Sequence, residues 1–159
     1  MKMLRASFLI LTVALLVLTG CGGPNRPMGI SVSLVNFRPT ETALFESRGI
    51  LTLRYTNESI SPLGYSGSSH KLYLNGTYVG KAVSDQPFGV PPVNSVTQDV
   101  TIMLENLPLV QQLVAVRDTQ TASYRLDSTV FQTVYEEKYE IKLRSQGSVD
   151  LRGLVDAAP

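Results

Sequence analysis

Apolar and polar residues begin to alternate with a period of two at Ile30, and that pattern governs most of the chain that follows. Ile30, Val32 and Leu34 alternate with Ser31 and Ser33, and Leu51, Leu53 and Tyr55 alternate with Thr52, Arg54 and Thr56. Successive side chains on an extended backbone point to opposite faces, so each run predicts a strand with one buried side. Leu72-Tyr73-Leu74 and Thr77-Tyr78-Val79 flank Asn75-Gly76, a pair that accepts positive φ at both centres of a type I′ turn, and a hairpin is predicted there. From Gln86 to Ser95, Pro87, Pro91 and Pro92 remove ladder donors, which predicts a loop or an irregular edge. Val96, Val100, Ile102 and Leu104 then resume the alternation, with Gln98 as a polar break on the apolar face.

A single segment has helical spacing. Asn106 is placed to cap it, Pro108 suits a first turn, and Leu109, Leu113 and Val116 recur on one face. Tyr124, Leu126 and Val130 predict another strand, Tyr139, Ile141 and Leu143 one more, and Val149 and Leu151 a short last strand after Gly147. About seven strands without βαβ alternation predict a mainly β fold, a single antiparallel Ig-like β-sandwich with one short helix plugging an end.

The first residues follow a different logic. Lys2 and Arg5 precede an apolar run from Ala6 to Leu18, which has the charge and length of a secretory signal and is too short to span a bilayer. The run closes on Leu18-Thr19-Gly20-Cys21, which resembles a bacterial lipobox. That resemblance implies cleavage between Gly20 and Cys21 and lipidation of Cys21 by a diacylglyceryl group and an amide-linked chain of the palmitate type. One acyl chain holds a protein only reversibly, so more than one is required. An ordinary signal peptide ending near a chance cysteine, or an uncleaved N-terminal helix, is the plainer alternative. Gly22 stands where an inner-membrane retention signal would carry aspartate, so the expected location is the outer membrane, facing the periplasm. The chain divides into a leader (1–20), a Gly/Pro-rich tether (21–29), one domain (30–152) and a tail (153–159).

Composition narrows the chemistry. Losing Lys2 and Arg5 with the leader leaves 12 basic against 13 acidic residues, a net charge of −1. No basic stripe suits nucleic acid, and no Lys/Arg cluster suits an anionic membrane. With Cys21 used as an anchor no disulfide can form, so the hydrophobic core must supply the stability. The one histidine, His70, lies in the polar stretch Ser66-Gly67-Ser68-Ser69-His70, without neighbours at metal-ligand spacing, so neither a metal nor another cofactor is expected. A hydrolytic triad would need His70 with Ser66, Ser68 or Ser69 and with Asp85 or Asp99, yet no nucleophile elbow is present and a solvated loop accounts for the stretch. Glu136 and Glu137 would point to opposite faces of a strand, which suits a solvated turn and does not suit a shared proton. Asp118 and Asp127 have no readable partner.

The aromatics are more suggestive. Of seven tyrosines and five phenylalanines, Tyr65, Tyr73, Tyr78 and Phe88 gather around the hairpin and the proline loop. Tyrosine joins an apolar body to a polar tip, which suits a lipid- or protein-contact patch; filling the core and sheltering an edge explain the same residues. Asn57-Glu58-Ser59 and Asn75-Gly76-Thr77 fit a glycosylation pattern that a bacterial lipoprotein would not use.

The strand order, the polar Tyr55-Thr56-Asn57-Glu58-Ser59 closing the second strand and the hairpin from Leu72 to Val79 are similar to the late embryogenesis abundant type 2 domain, also called the water stress and hypersensitive response domain. The family often has Asn-Pro after that strand, whereas here Glu58 follows Asn57 and the proline comes at Pro62. The resemblance implies a seven-stranded sandwich with a helix, no catalytic residues, and roles in stress protection such as desiccation, in lipid interaction or in envelope maintenance. The expected function is therefore that of a non-enzymatic envelope lipoprotein, bound to the membrane through its N-terminal lipid and acting on lipid or envelope proteins. Carriage of an acyl ligand in the periplasm and, more distantly, hydrolysis are the alternatives.

Overall fold

The computed structural model describes residues 29–42 and 46–151. The leader, Cys21, the tether up to residue 28 and the tail from 153 lie outside the described residues. Seven strands form one antiparallel sheet: β1 (Ile30–Thr42), β2 (Glu46–Asn57), β4 (Gly67–Leu74), β5 (Thr77–Ser84), β7 (Asn94–Glu105), β8 (Thr121–Val134) and β9 (Glu137–Asp150). Their order across the sheet is β1-β2-β7-β5-β4-β8-β9. Two short strands, β3 (Leu63–Tyr65) and β6 (Phe88–Val90), pair separately, and one helix, α1 (Asn106–Ala115), joins β7 to β8.

Among the described residues, the mainly β, antiparallel reading with one short helix holds. The expected Ig-like β-sandwich is not confirmed: the seven long strands form one continuous antiparallel sheet, nearly closed into a barrel-like shape. The join between its halves is short, since β5 meets β7 only through Gly80–Ala82 against Ile102–Leu104. Twist then folds the halves toward each other, and the inward-facing residues of both become one core. Leu51, Leu53, Tyr55, Leu72, Leu74, Ile102, Leu104 and Leu126 are all buried there. With six antiparallel steps between them, β1 and β9 run in the same direction where they come side by side.

Local chemistry accounts for the elements. Asn75 (φ 46°) and Gly76 (φ 85°) form the predicted hairpin turn between β4 and β5. Tyr135 (φ 50°) and Glu136 (φ 70°) form a second tight turn between β8 and β9; of the two glutamates Glu136 sits in that turn, while Glu137 is already the first residue of β9, and both are exposed. Pro39 is tolerated because β1 is an edge strand with a register shift between Pro39 and Glu41. Val149 belongs to the continuous β9 and not to a separate strand. Across β8 and β9, Tyr124 pairs with Gly147, where a side chain would meet the tyrosine ring at 2.8 Å.

α1 starts one residue earlier than predicted. Glu105 occupies the cap without a side-chain hydrogen bond, and Asn106 is already helical. Leu109, Leu113 and Val116 enter the core as expected. The Gln112 amide donates to Thr77 Oγ1 (3.1 Å) and accepts from Asn75 Nδ2 (3.2 Å), tying the helix to the hairpin. The helix therefore closes the end of the sheet opposite Ile30.

Candidate functional site

The segment Ser66 to His70 is the first half of β4 and its approach, not a solvated loop. Ser68, His70, Leu72 and Leu74 face inward while Lys71 is exposed; polar residues at two of the inward positions hid the alternation. His70 and Tyr55 are wholly buried, and the imidazole is engaged at both nitrogens: Nε2 lies 3.0 Å from Tyr55 Oη and Nδ1 lies 2.8 Å from Ser128 Oγ. Tyr55 Oη is also 3.4 Å from Ser68 Oγ. Loss of water holds the histidine neutral and lowers its pKa to about 4, while burial pushes the Tyr55 hydroxyl up to about 12, against a small opposing effect of the Ser68 hydrogen bond.

A triad would have needed Asp85 or Asp99 beside His70, and the structure places both elsewhere. Asp85 is exposed after β5, and Asp99 accepts from Thr52 Oγ1 (2.6 Å) near Arg38 (3.6 Å) on the outer face. Ser66 donates to the Phe131 carbonyl. A serine, not a carboxylate, orients the imidazole, and the cluster is closed to solvent, so its chemistry is to satisfy buried polar groups across the two halves of the sheet.

The four aromatics predicted as a contact patch divide into two separate pairs. Phe88 packs on Tyr65 (ring centroids 5.2 Å apart) and on Tyr55 (4.6 Å), closing the core beside the short β3–β6 sheet. Tyr65 is buried, and burial raises its pKa; its hydroxyl has no partner among the described residues. Tyr73 and Tyr78 meet edge to face at 5.6 Å on the outer surface, with the Arg125 guanidinium 3.8 Å over the Tyr73 ring. Tyr73 borders a groove of about 780 Å³ along β4, β8, β9 and the start of β1, lined also by Lys71, Lys142 and Arg144. Asp127 offsets part of that charge, 2.6 Å from Arg144 and 3.5 Å from Arg125.

Asn57, missed by sequence reasoning, organises the end of the domain where the chain enters. It is buried at the end of β2; its Nδ2 lies 2.8, 3.2 and 3.1 Å from the carbonyls of Ser61, Val90 and Pro91, and its Oδ1 accepts from the Ser59 amide (2.9 Å) and hydroxyl (2.7 Å). The Glu58 amide donates to the Gly29 carbonyl (2.6 Å) and the Val93 amide to the Ser59 carbonyl (3.0 Å). One side chain thus joins the entry of the chain to two loops, 58–62 and 91–93. An Asn followed by polar residues and Pro62 at a strand end was the available signal, since such residues bond to nearby backbone in turns.

Among the described residues, no group of three or more His, Cys, Asp or Glu could hold a metal, and no helix is long and apolar enough to cross a membrane. These features define a class: a β domain with a closed core bridged by buried polar groups. The Late embryogenesis abundant protein profile matches residues 52–147, and the chain belongs to that family, LEA_2, which is generally non-enzymatic. Among solved structures, an Arabidopsis thaliana protein studied in solution is 13% identical, with 84% of this chain and 89% of that chain covered and a TM-score of 0.59. A crystal structure of a protein from Archaeoglobus fulgidus is 16% identical over 74% of this chain and 97% of its own, with a TM-score of 0.44. No curated protein matches.

Proposed function

We propose that this chain is a non-enzymatic lipoprotein of the bacterial envelope, held at the outer membrane through Cys21, whose LEA_2 domain acts by contact with lipid or envelope proteins in stress protection or envelope maintenance. The observation that carries this reading is the lipobox-like Leu18-Thr19-Gly20-Cys21 only eight residues ahead of Gly29, where the folded domain begins. The closed His70 cluster supports action by surface contact over hydrolysis. The carrier alternative has less support, because fully buried side chains from both halves of the sheet occupy the interior.

The full chain expressed in a bacterial host tests the anchor directly. The mature protein should start at Cys21 with a mass raised by a diacylglyceryl group and an acyl chain, and globomycin should cause the precursor to accumulate. Cys21→Ser should release the domain from the membrane fraction. A mature protein with an unmodified thiol in the soluble fraction overturns the reading.

A further inference from the structure

The end of the domain at which the chain enters carries exposed apolar side chains on three separate loops. Strand directions place the loop after β2, the turn before β7 and the β8–β9 turn all at the end where β1 begins. On these, Ile60 is 89% exposed, Val93 72% and Tyr135 97%. Each is held there by structure. Ile60 and Val93 lie on the two loops clamped by Asn57, the first of them bonded to Gly29. Val93 adopts φ 48°, a left-handed conformation that a β-branched residue rarely takes, and Tyr135 sits at φ 50°. Folding alone would favour asparagine or glycine at Val93.

We propose that these three tips dip into the interfacial layer of the bilayer that holds Cys21, giving the domain a second membrane contact and one fixed orientation. The inference rests on the anchor proposed above. Eight residues from Cys21 to Gly29 reach at most about 28 Å, which keeps this end of the domain at the bilayer. Another exposed apolar group, Leu107, Val110 and Val114 on α1, stands at the opposite end, roughly 40 Å away along the strands, and Val83 and Met103 are exposed on the outer face of β5 and β7. Isoleucine, valine and tyrosine are side chains suited to that layer. The carboxylates of Glu58, Asp85 and Glu136 stand at the same end, and they fit a zwitterionic, phosphatidylethanolamine-rich surface better than an anionic one.

The chain contains no tryptophan, so single substitutions supply a clean reporter. Ile60→Trp, Val93→Trp, Tyr135→Trp and, at the far end, Leu107→Trp are made in the full-length protein, which is purified with its lipid and reconstituted into vesicles of phosphatidylethanolamine and phosphatidylcholine with brominated chains. Emission at 60, 93 and 135 should shift to the blue and be quenched at least twofold, with 107 unchanged and with little response to salt. Solvent-like, unquenched emission at all three tips overturns the inference, as does quenching at 107 instead, which would place the helix on the lipid. The mass of the mature N-terminus is read on the same samples. Lipid on Cys21 without quenching overturns the second contact and leaves the anchor standing, whereas an unmodified Cys21 overturns both.

Discussion

The Leu34 amide donates a hydrogen bond to the Tyr124 hydroxyl at 3.3 Å, across the seam where the first and last strands of the sheet meet. Leu34 belongs to β1, and Tyr124 reaches it from β8 past Gly147 on β9. A side chain thus makes the link where no ladder pairs the two edge strands, and it occupies an edge donor that could otherwise recruit another chain. The seam opens onto the groove bordered by Ile30, Val32 and Leu143.

Tyr124→Phe should cost about 1 kcal/mol, the usual net worth of one buried hydrogen bond, and should speed hydrogen exchange at the Leu34 amide. Gly147→Ala should cost more, about 1–3 kcal/mol, because the added methyl would sit 2.8 Å from the Tyr124 ring. Urea unfolding with exchange detected by mass spectrometry separates the two. A loss in Gly147→Ala with none in Tyr124→Phe would mean that the ring, and not its hydroxyl, closes the seam.

Acid should weaken the fold through His70. The unfolded chain binds a proton near pH 6.5, whereas the buried imidazole binds one only near pH 4, so the unfolded state holds more protons between these values. The stabilisation is complete above pH 6.5 and lost as pH falls toward 4, about 3 kcal/mol across the window. His70→Gln should flatten this slope in denaturant titrations at successive pH values. A slope unchanged by the substitution would assign the acid sensitivity to other groups.

Asn57→Ala removes the donor shared by three carbonyls and the acceptor of Ser59. A loss of about 2–4 kcal/mol is expected, from buried backbone groups left without partners. Exchange should rise in 58–62 and 91–93 before it rises in β8 or β9. Uniform acceleration throughout the domain would show that Asn57 supports the whole fold and not the two loops.

Val93→Asn should separate stability from membrane contact. Asparagine accepts φ 48° more readily than a β-branched residue, so the variant should gain about 0.5–1 kcal/mol in solution. On the same vesicles the Tyr135→Trp reporter should lose quenching when Val93→Asn is added. Greater stability with undiminished quenching would mean that Val93 is not one of the contacts.

Much of the fold was legible because local rules set it. Alternation at Ile30–Leu34, Leu51–Tyr55 and Ile141–Leu143, the Asn75-Gly76 turn and the Leu109, Leu113, Val116 stripe all read correctly, since each depends only on neighbours along the chain. The His70 segment did not. Its inward positions are occupied by serine and histidine, which read as solvated until Tyr55 and Ser128 arrive from other strands to satisfy them. The division of the aromatics was hidden for a related reason: they lie close in sequence, while the pleat and the β3–β6 pair bury Tyr65 against Phe88 and leave Tyr73 with Tyr78 on the outer surface.

By itself the sequence determined most of the long strands, their buried faces and the Asn75-Gly76 turn, because periodicity and φ preference act over a few residues. Only the tertiary structure decided that the strands form one rolled sheet, that His70 is neutral in the core, and that Ile60, Val93 and Tyr135 share the end where the chain enters. Each of these depends on which distant strands pair, and long-range pairing is set by filling one core and satisfying its buried polar groups, a constraint that no local window contains.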